Sequence, residues 1–180
     1  MQTSAAELDR RIRQQIRDIE GFPKEGVVFK DITTVLRDGD LFRDIIDHFA
    51  RRYEGRGITR VIGIESRGFI FGAPLAYELG VGLSLIRKPG KLPYDTVGVD
   101  YELEYGSDRV EMHRDAFEAG DPVLLVDDLL ATGGTCRAAV ELIDRLEGDL
   151  VEVAFLMELA FLGGREILGD TDIYAITTYE

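Results

Sequence analysis

Val123-Leu124-Leu125-Val126-Asp127-Asp128-Leu129-Leu130-Ala131-Thr132-Gly133-Gly134-Thr135 is the stretch that decides the fold. Its first four residues are apolar without alternation, which suits a strand buried on both faces of a sheet. Two adjacent acids follow, then a turn of small residues. From Thr135 a helical pattern begins, with Ala138, Ala139, Leu142, Ile143 and Leu146 on its apolar side. This order is a strand-to-helix transition of an open α/β sheet, where ligands bind beyond the carboxyl ends of the strands. Backbone N–H groups of Ala131, Thr132, Gly133, Gly134 and Thr135 can cradle a phosphate at the helix start, and the two threonine hydroxyls can add hydrogen bonds. Asp127 and Asp128 offer carboxylate acceptors beside it, and the vicinal hydroxyls of a ribose are their natural partners. An isolated Asp-Asp or Gly-Gly does no more than shape a turn; the whole run in this order points to a ligand. No Gly-Lys-Ser/Thr follows the glycines and no Gly-x-Gly-x-x-Gly follows a strand, so neither the nucleotide-triphosphate loop nor the dinucleotide fingerprint is present.

The same rhythm extends outward. Val61-Ile62-Gly63-Ile64 and residues 81–86, 151–156 and 173–176 read as further short buried strands. Ser4 and Glu7 have capping-box spacing, and Leu8, Ile12, Ile16 and Ile19 predict a helix that Gly21 and Pro23 stop. Asp40 is a cap for a second helix with Phe42, Ile45, Ile46, Phe49 and Tyr53 inside, and residues 69–79 predict a third, ended by Gly80. Strands alternating with helices imply an α/β fold, a mainly parallel sheet flanked by helices. One region departs from this. Residues 87–101 are long, polar and carry Pro89 and Pro93, as binding loops and lids do. Residues 101–105 and 109–113 alternate and are joined by Gly106-Ser107-Asp108, which predicts a solvent-facing hairpin at the base of that loop.

The chain has 180 residues, enough for one domain, 1–180, with a core that needs no staples. Cys136 is the only cysteine, so a disulfide framework is excluded, and it reads as a packing residue. No stretch approaches the roughly 20 apolar residues of a membrane span. The start Met1-Gln2-Thr3-Ser4 has no signal-peptide pattern, so the expected compartment is the cytoplasm. Net charge is −13, from 21 Lys+Arg and 34 Asp+Glu, which argues against nucleic acid as a partner. It leaves small phosphorylated ligands open, because screening confines exposed charges to about 8–10 Å and a local basic cluster can hold an anion. Arg87, Lys88 and Lys91 form such a cluster, with no acid between them. The acid excess is compatible with a salty cytoplasm, which composition alone does not decide. The two histidines, His48 on a helix surface and His113, have no metal-ligand spacing.

The run from Leu125 to Thr135 resembles the signature of the type I phosphoribosyltransferases, which move ribose 5-phosphate from phosphoribosyl pyrophosphate to a nitrogenous base. Three segments narrow the resemblance to the adenine phosphoribosyltransferases: Phe22-Pro23-Lys24-Glu25-Gly26-Val27-Val28-Phe29-Lys30-Asp31-Ile32-Thr33, Glu65-Ser66-Arg67-Gly68-Phe69 and Ile86-Arg87-Lys88-Pro89-Gly90-Lys91-Leu92-Pro93. A fourth, Tyr101-Glu102-Leu103-Glu104-Tyr105-Gly106, falls where that family keeps its catalytic flap. The resemblance implies the type I phosphoribosyltransferase fold, with an N-terminal hood over about 1–35 and a flexible flap over about 87–113. It implies purine salvage: adenine and phosphoribosyl pyrophosphate give AMP and pyrophosphate.

Residue by residue, the resemblance assigns Asp127 and Asp128 to the ribose hydroxyls and residues 131–135 to the 5-phosphate. Arg67, Arg87, Lys88 and Lys91 go to pyrophosphate, and Val28, Phe29 and Lys30 to adenine, with Lys30 acting through its main chain. Glu104 becomes the acid that exchanges a proton with the purine, and Tyr105 packs on the closed site. By pattern alone Phe29 belongs to a core, and Glu104 to an exposed hairpin like Glu102. No direct protein cage for a metal is expected: Mg2+ would arrive on the donor's phosphates, with Asp127 and Asp128 reaching it through water. The family forms homodimers, and no membrane is involved. Two other readings stay open here: the same donor with orotate or a 6-oxopurine, and a non-catalytic phosphoribosyl-sensing regulator.

Overall fold

Ser4 accepts a hydrogen bond from the Glu7 N–H at 3.2 Å and starts α1 (Ala5–Gln15), which buries Leu8 and Ile12. The computed structural model describes residues 3–103 and 106–180. Helical spacing through Ile19 predicts a longer α1, but the backbone turns extended at Ile16. Residues Arg17–Glu20 instead form β1, antiparallel to β2 (Val28–Asp31), with Arg17 opposite Asp31. A ladder with a distant segment wins over the local period, helped by ion pairs of Arg17 with Asp31 at 2.5 Å and of Lys30 with Asp18 at 2.8 Å. After a short α2 (Thr33–Leu36), α3 (Gly39–Tyr53) is capped by Asp38, not Asp40: the Asp38 carboxylate accepts from the Leu41 N–H at 3.0 Å. Asp40 lies in the first turn, where the helix dipole still favours its charge.

Then follow β3 (Arg60–Ile64), α4 (Arg67–Leu79) and β4 (Gly82–Ile86); the antiparallel hairpin β5 (Thr96–Leu103) and β6 (Gly106–His113); and β7 (Pro122–Leu130) and α5 (Gly134–Arg145). The chain continues with β8 (Asp149–Leu159), a 3-10 turn (Ala160–Leu162), α6 (Gly164–Leu168) and β9 (Ile173–Tyr179). Five strands form one wholly parallel sheet in the order β4-β3-β7-β8-β9. Alternate residues feed two cores. Val61, Leu124 and Ala154 join Phe49, Phe71 and Leu75 on the side of α1 to α4, while Ile62, Leu125 and Val153 join Ala139, Leu142 and Ile143 of α5 on the other. The chain thus has the α/β architecture, a parallel sheet flanked by helices, that its pattern predicts.

Two strands differ from their prediction. β7 does not stop at Val126 but continues through both acids to Leu130, because β8 is long enough to pair it: Asp127 lies opposite Phe155 and Leu130 opposite Glu158. In the hairpin, Tyr101 faces Asp108 and Leu103 faces Gly106, so residues 106–108 are strand rather than turn. Nor does that hairpin face only solvent. Val99, Val110 and Met112 are buried in the α5-side core, which gives its inner face an apolar footing.

Candidate active site

Strand order brings together residues that are far apart in sequence. β3 and β7 lie side by side at the centre, with Gly63 opposite Val126, so the segment leaving β3 meets the acids that end β7. Gly68, at the start of α4, allows this approach: a Cβ there would lie 2.5 Å from the Val126 carbonyl oxygen and 3.1 Å from Asp127 Oδ1. Between them opens a cleft of about 390 Å3, lined by Glu65, Ser66, Arg67, Lys88 and every residue from Asp127 to Cys136. The 131–135 turn forms one wall. Gly133 takes φ +85°, and a Cβ on it would sit 2.7 Å from the Gly164 carbonyl oxygen. Its glycine is required to build the turn against the start of α6, not only to leave room for a ligand.

The floor of the cleft is acidic and buried. Asp128 is only 2% exposed and pairs with Arg67, Nε to Oδ2 2.8 Å. Asp127 Oδ1 accepts the Asp128 N–H at 2.9 Å. Burial, and then the Asp128 charge, push the Asp127 carboxyl well above its ordinary value. Burial raises Asp128 as well, against the pull of Arg67. Cys136 is buried beside them, and burial pushes its thiol up, away from thiolate chemistry.

The basic cluster differs from its sequence in one respect: acids from other elements neutralise it. Glu65 accepts the Lys88 N–H at 2.8 Å and Arg87 Nε at 3.2 Å. Those contacts, the Lys88 N–H above all, hold its carboxyl below the usual range despite some burial. Lys88 Nζ pairs with Asp108 and donates to the Tyr101 hydroxyl at 3.0 Å. Arg87 donates to the Lys91 carbonyl at 3.1 Å, and the Lys91 side chain is exposed. Arg67 and Lys88 therefore line the cleft, while Arg87 and Lys91 stand behind Glu65, outside that lining.

Over the cleft, alternation along β2 separates its side chains. Phe29 faces the Arg67 guanidinium, 5.7 Å from its ring centroid, with the edge of Phe22 at 5.2 Å. Val28 is exposed. Lys30 turns its ammonium to both Asp18 oxygens at 2.8 Å and over the Tyr179 ring at 4.4 Å, so its side chain is spent on holding the ribbon. Glu104 and Tyr105 lie outside the described residues.

Comparison with known proteins matches the phosphoribosyl transferase domain family to residues 31–166. An adenine phosphoribosyltransferase of Geobacter metallireducens is 52% identical over 168 residues, covering 93% of this chain and 98% of that protein. The chain belongs to the adenine phosphoribosyltransferase family. The crystal structure of the adenine phosphoribosyltransferase from Thermoanaerobacter pseudethanolicus superposes with a TM-score of 0.91 at 49% identity, over 94% of this chain and 99% of that one. The Saccharomyces cerevisiae enzyme, solved with adenine and an imino-altritol bisphosphate, superposes at 0.90 and 40% identity, over 95% of this chain and 99% of that one.

In this family member several residues in or beside the cleft escape sequence reasoning about roles. Glu65 directly follows β3, so the rule that ligands gather at strand ends points to it once β3 is known to neighbour β7. Tyr101 and Asp108 meet Lys88 only through the hairpin register, which no local pattern announces. Phe22 stands inside the 22–33 segment, but its contact with Phe29 depends on the turn between β1 and β2. His48, read as a surface residue, is half-buried and hydrogen-bonded to the Tyr174 hydroxyl at 2.5 Å, away from the cleft.

Proposed function

We infer that the protein acts in purine salvage, transferring the 5-phosphoribosyl group from phosphoribosyl pyrophosphate to adenine to give AMP and pyrophosphate. The observation that carries this is the cleft where Arg67, the Asp127–Asp128 pair and the 131–135 turn converge, under a ribbon that presents Phe29. The N–H groups of residues 131–135 and the hydroxyls of Thr132 and Thr135 hold the 5-phosphate. Asp127 and Asp128 accept hydrogen bonds from the ribose hydroxyls. Arg67 and Lys88 of the cleft lining receive the pyrophosphate, and the family resemblance adds Arg87 and Lys91 from beyond that lining. Its departure leaves oxocarbenium character at ribose C1, next to the two carboxylates, while the cations stabilise the charge that builds on the leaving oxygen. Adenine stacks on Phe29 in the proposed hood, held by main-chain groups of residues 28–30. Its nitrogen forms the new bond to C1 and loses its proton to Glu104 on the proposed flap.

Among the described residues no group of three or more His, Cys, Asp or Glu could hold a metal. Two adjacent acids facing the cleft do fit an ion that brings its own phosphate and water ligands. Asp127 and Asp128 would hold Mg2+ through water, and when bound it supplies charge neutralisation to the pyrophosphate. The family resemblance further supports a homodimer in the cytoplasm; among the described residues no helix is long and apolar enough to cross a membrane.

The test offers adenine, hypoxanthine, guanine and orotate separately to purified protein with magnesium and phosphoribosyl pyrophosphate, and follows nucleotide formation. AMP from adenine alone is expected. Turnover of a different base overturns the assignment of Phe29 and its ribbon, and donor binding without turnover overturns the enzyme itself.

A further inference from the structure

The β5–β6 hairpin already occupies two of the groups assigned to the donor's phosphates. Lys88 Nζ is paired with the Asp108 carboxylate and donates to the Tyr101 hydroxyl at 3.0 Å. That hydroxyl donates to Asp108 Oδ2 at 3.1 Å and accepts from Thr135 Oγ1 at 3.2 Å. With one donated and two accepted bonds, its capacity is filled. Tyr101 and Asp108 are cross-strand partners, so one level of the hairpin brings both oxygens to Lys88, which lines the cleft. Burial works against the Lys88 charge, yet the bonds to Asp108 and Tyr101 outweigh it and hold its pKa above the ordinary value. Lys88 in turn holds Asp108 below the carboxylate range.

We propose that Tyr101 and Asp108 are positioning residues forming a latch: they hold the hairpin on the cleft by presenting a carboxylate and a hydroxyl where the donor's phosphate oxygens bind. The incoming donor exchanges them for its own oxygens. Lys88 and Thr135 are donor ligands by the proposed function, on which the latch rests. A carboxylate on a lysine ammonium competes directly with a phosphate for the same N–H groups, and apparent affinity is scaled down to the fraction of molecules in which the ammonium is free. The pair is half open to water, with side chains 38% and 31% exposed, so exchange is easy. Its removal changes affinity by about two- to fivefold.

Calorimetry on the full chain tests this, with magnesium pyrophosphate and with phosphoribosyl pyrophosphate as probes, alongside steady-state kinetics. In Asp108→Asn both ligands bind about two- to fivefold tighter, KM for the donor falls by the same factor and KM for adenine stays put. Amide exchange over 96–103 and 106–113 accelerates in the ligand-free variant. Adding Lys88→Gln abolishes the gain, since the competitor and the site it competes for then vanish together. Tyr101→Phe, which deletes the hydroxyl shared by Lys88, Asp108 and Thr135, gives a gain in the same direction and carries the test if Asp108→Asn does not fold. Unchanged or weaker donor binding in both Asp108→Asn and Tyr101→Phe, with Lys88→Gln alone weakening pyrophosphate, overturns the latch and leaves the donor site standing. If Lys88→Gln alone leaves pyrophosphate binding unchanged, the donor-site assignment of Lys88 fails and the latch falls with it.

Discussion

The Asp127 carboxyl is forced towards its neutral form by burial and by the adjacent Asp128 charge, and this makes it a cost to the fold. An aspartate in the unfolded chain titrates near 3.9. With the folded value raised, the native state binds more protons than the unfolded one between the two values. Stability contributed by the protonated form is therefore fully present below about pH 4 and lost as pH rises through the folded value. Asp127→Asn removes the charge yet keeps an Oδ1 to accept the Asp128 N–H, now 2.9 Å away. Urea unfolding between pH 4 and 8 is expected to show this variant more stable than the parent chain at pH 7, with a flatter decline towards neutrality. Lower stability at pH 7 would refute the assignment of strain to this carboxyl. Donor affinity falls in the same variant, as it does where a site is built at the expense of stability. At this scale the type and order of residues were readable, from Asp127 through Thr135. Their partners were not: Arg67 on Asp128, Glu65 on Arg87 and Asp108 on Lys88 are ion pairs made by strand order and hairpin register, so a cluster with no acid within it was still neutralised.

The β1–β2 ribbon shows the same limit one level up. Ile16 and Ile19 fit a helical period, and only pairing with a segment beyond Gly21 makes residues 17–20 a strand. Long-range pairing likewise set the length of β7 and made residues 106–108 strand, whereas the buried strands β3, β4, β8 and β9 and the helices α3, α4 and α5 were legible to within a few residues because their apolar patterns are local. The ribbon is anchored at one end by Asp31, whose carboxylate is pulled down to about 2, first by Arg17 and then by the Thr33 N–H and hydroxyl. Being depressed, it supplies stability that is present above about pH 4 and lost as pH falls towards about 2, so the anchor is intact over the neutral range. Phe29 rides on this ribbon. Arg17→Gln is expected to raise KM for adenine by up to about fivefold, the factor equivalent to ~1 kcal/mol for a pair whose arginine is open to water, and to leave KM for the donor alone. Saturation kinetics with each substrate varied in turn checks it; an equal rise in both would show that the ribbon does not act through the base.

Across the whole molecule, the order β4-β3-β7-β8-β9 is what joins the 65–67 segment to the 127–135 run, and this order is the part of the fold that no periodicity encodes. The layered α/β class was readable because each buried run is apolar without alternation and each helix between them is one-sided. Charge is distributed against this frame in two ways. The chain as a whole carries −13, a self-repulsion that disfavours the compact state, while Arg67 and Lys88 bring positive charge to the cleft. Salt screens both, with opposite consequences for fold and ligand. As the screening length shrinks from about 10 Å at 0.1 M to about 3 Å at 1 M, repulsion among exposed acids fades and the melting temperature is expected to rise. Attraction of the anionic donor fades over the same range, so KM for phosphoribosyl pyrophosphate climbs, whereas KM for adenine, an uncharged base, moves little. Thermal unfolding and initial rates across one salt series measure the three quantities on the same samples. A melting temperature that falls with salt would place the net charge outside the stability balance, and a parallel rise in both KM values would trace the salt effect to a shared conformational step rather than to the donor's charge.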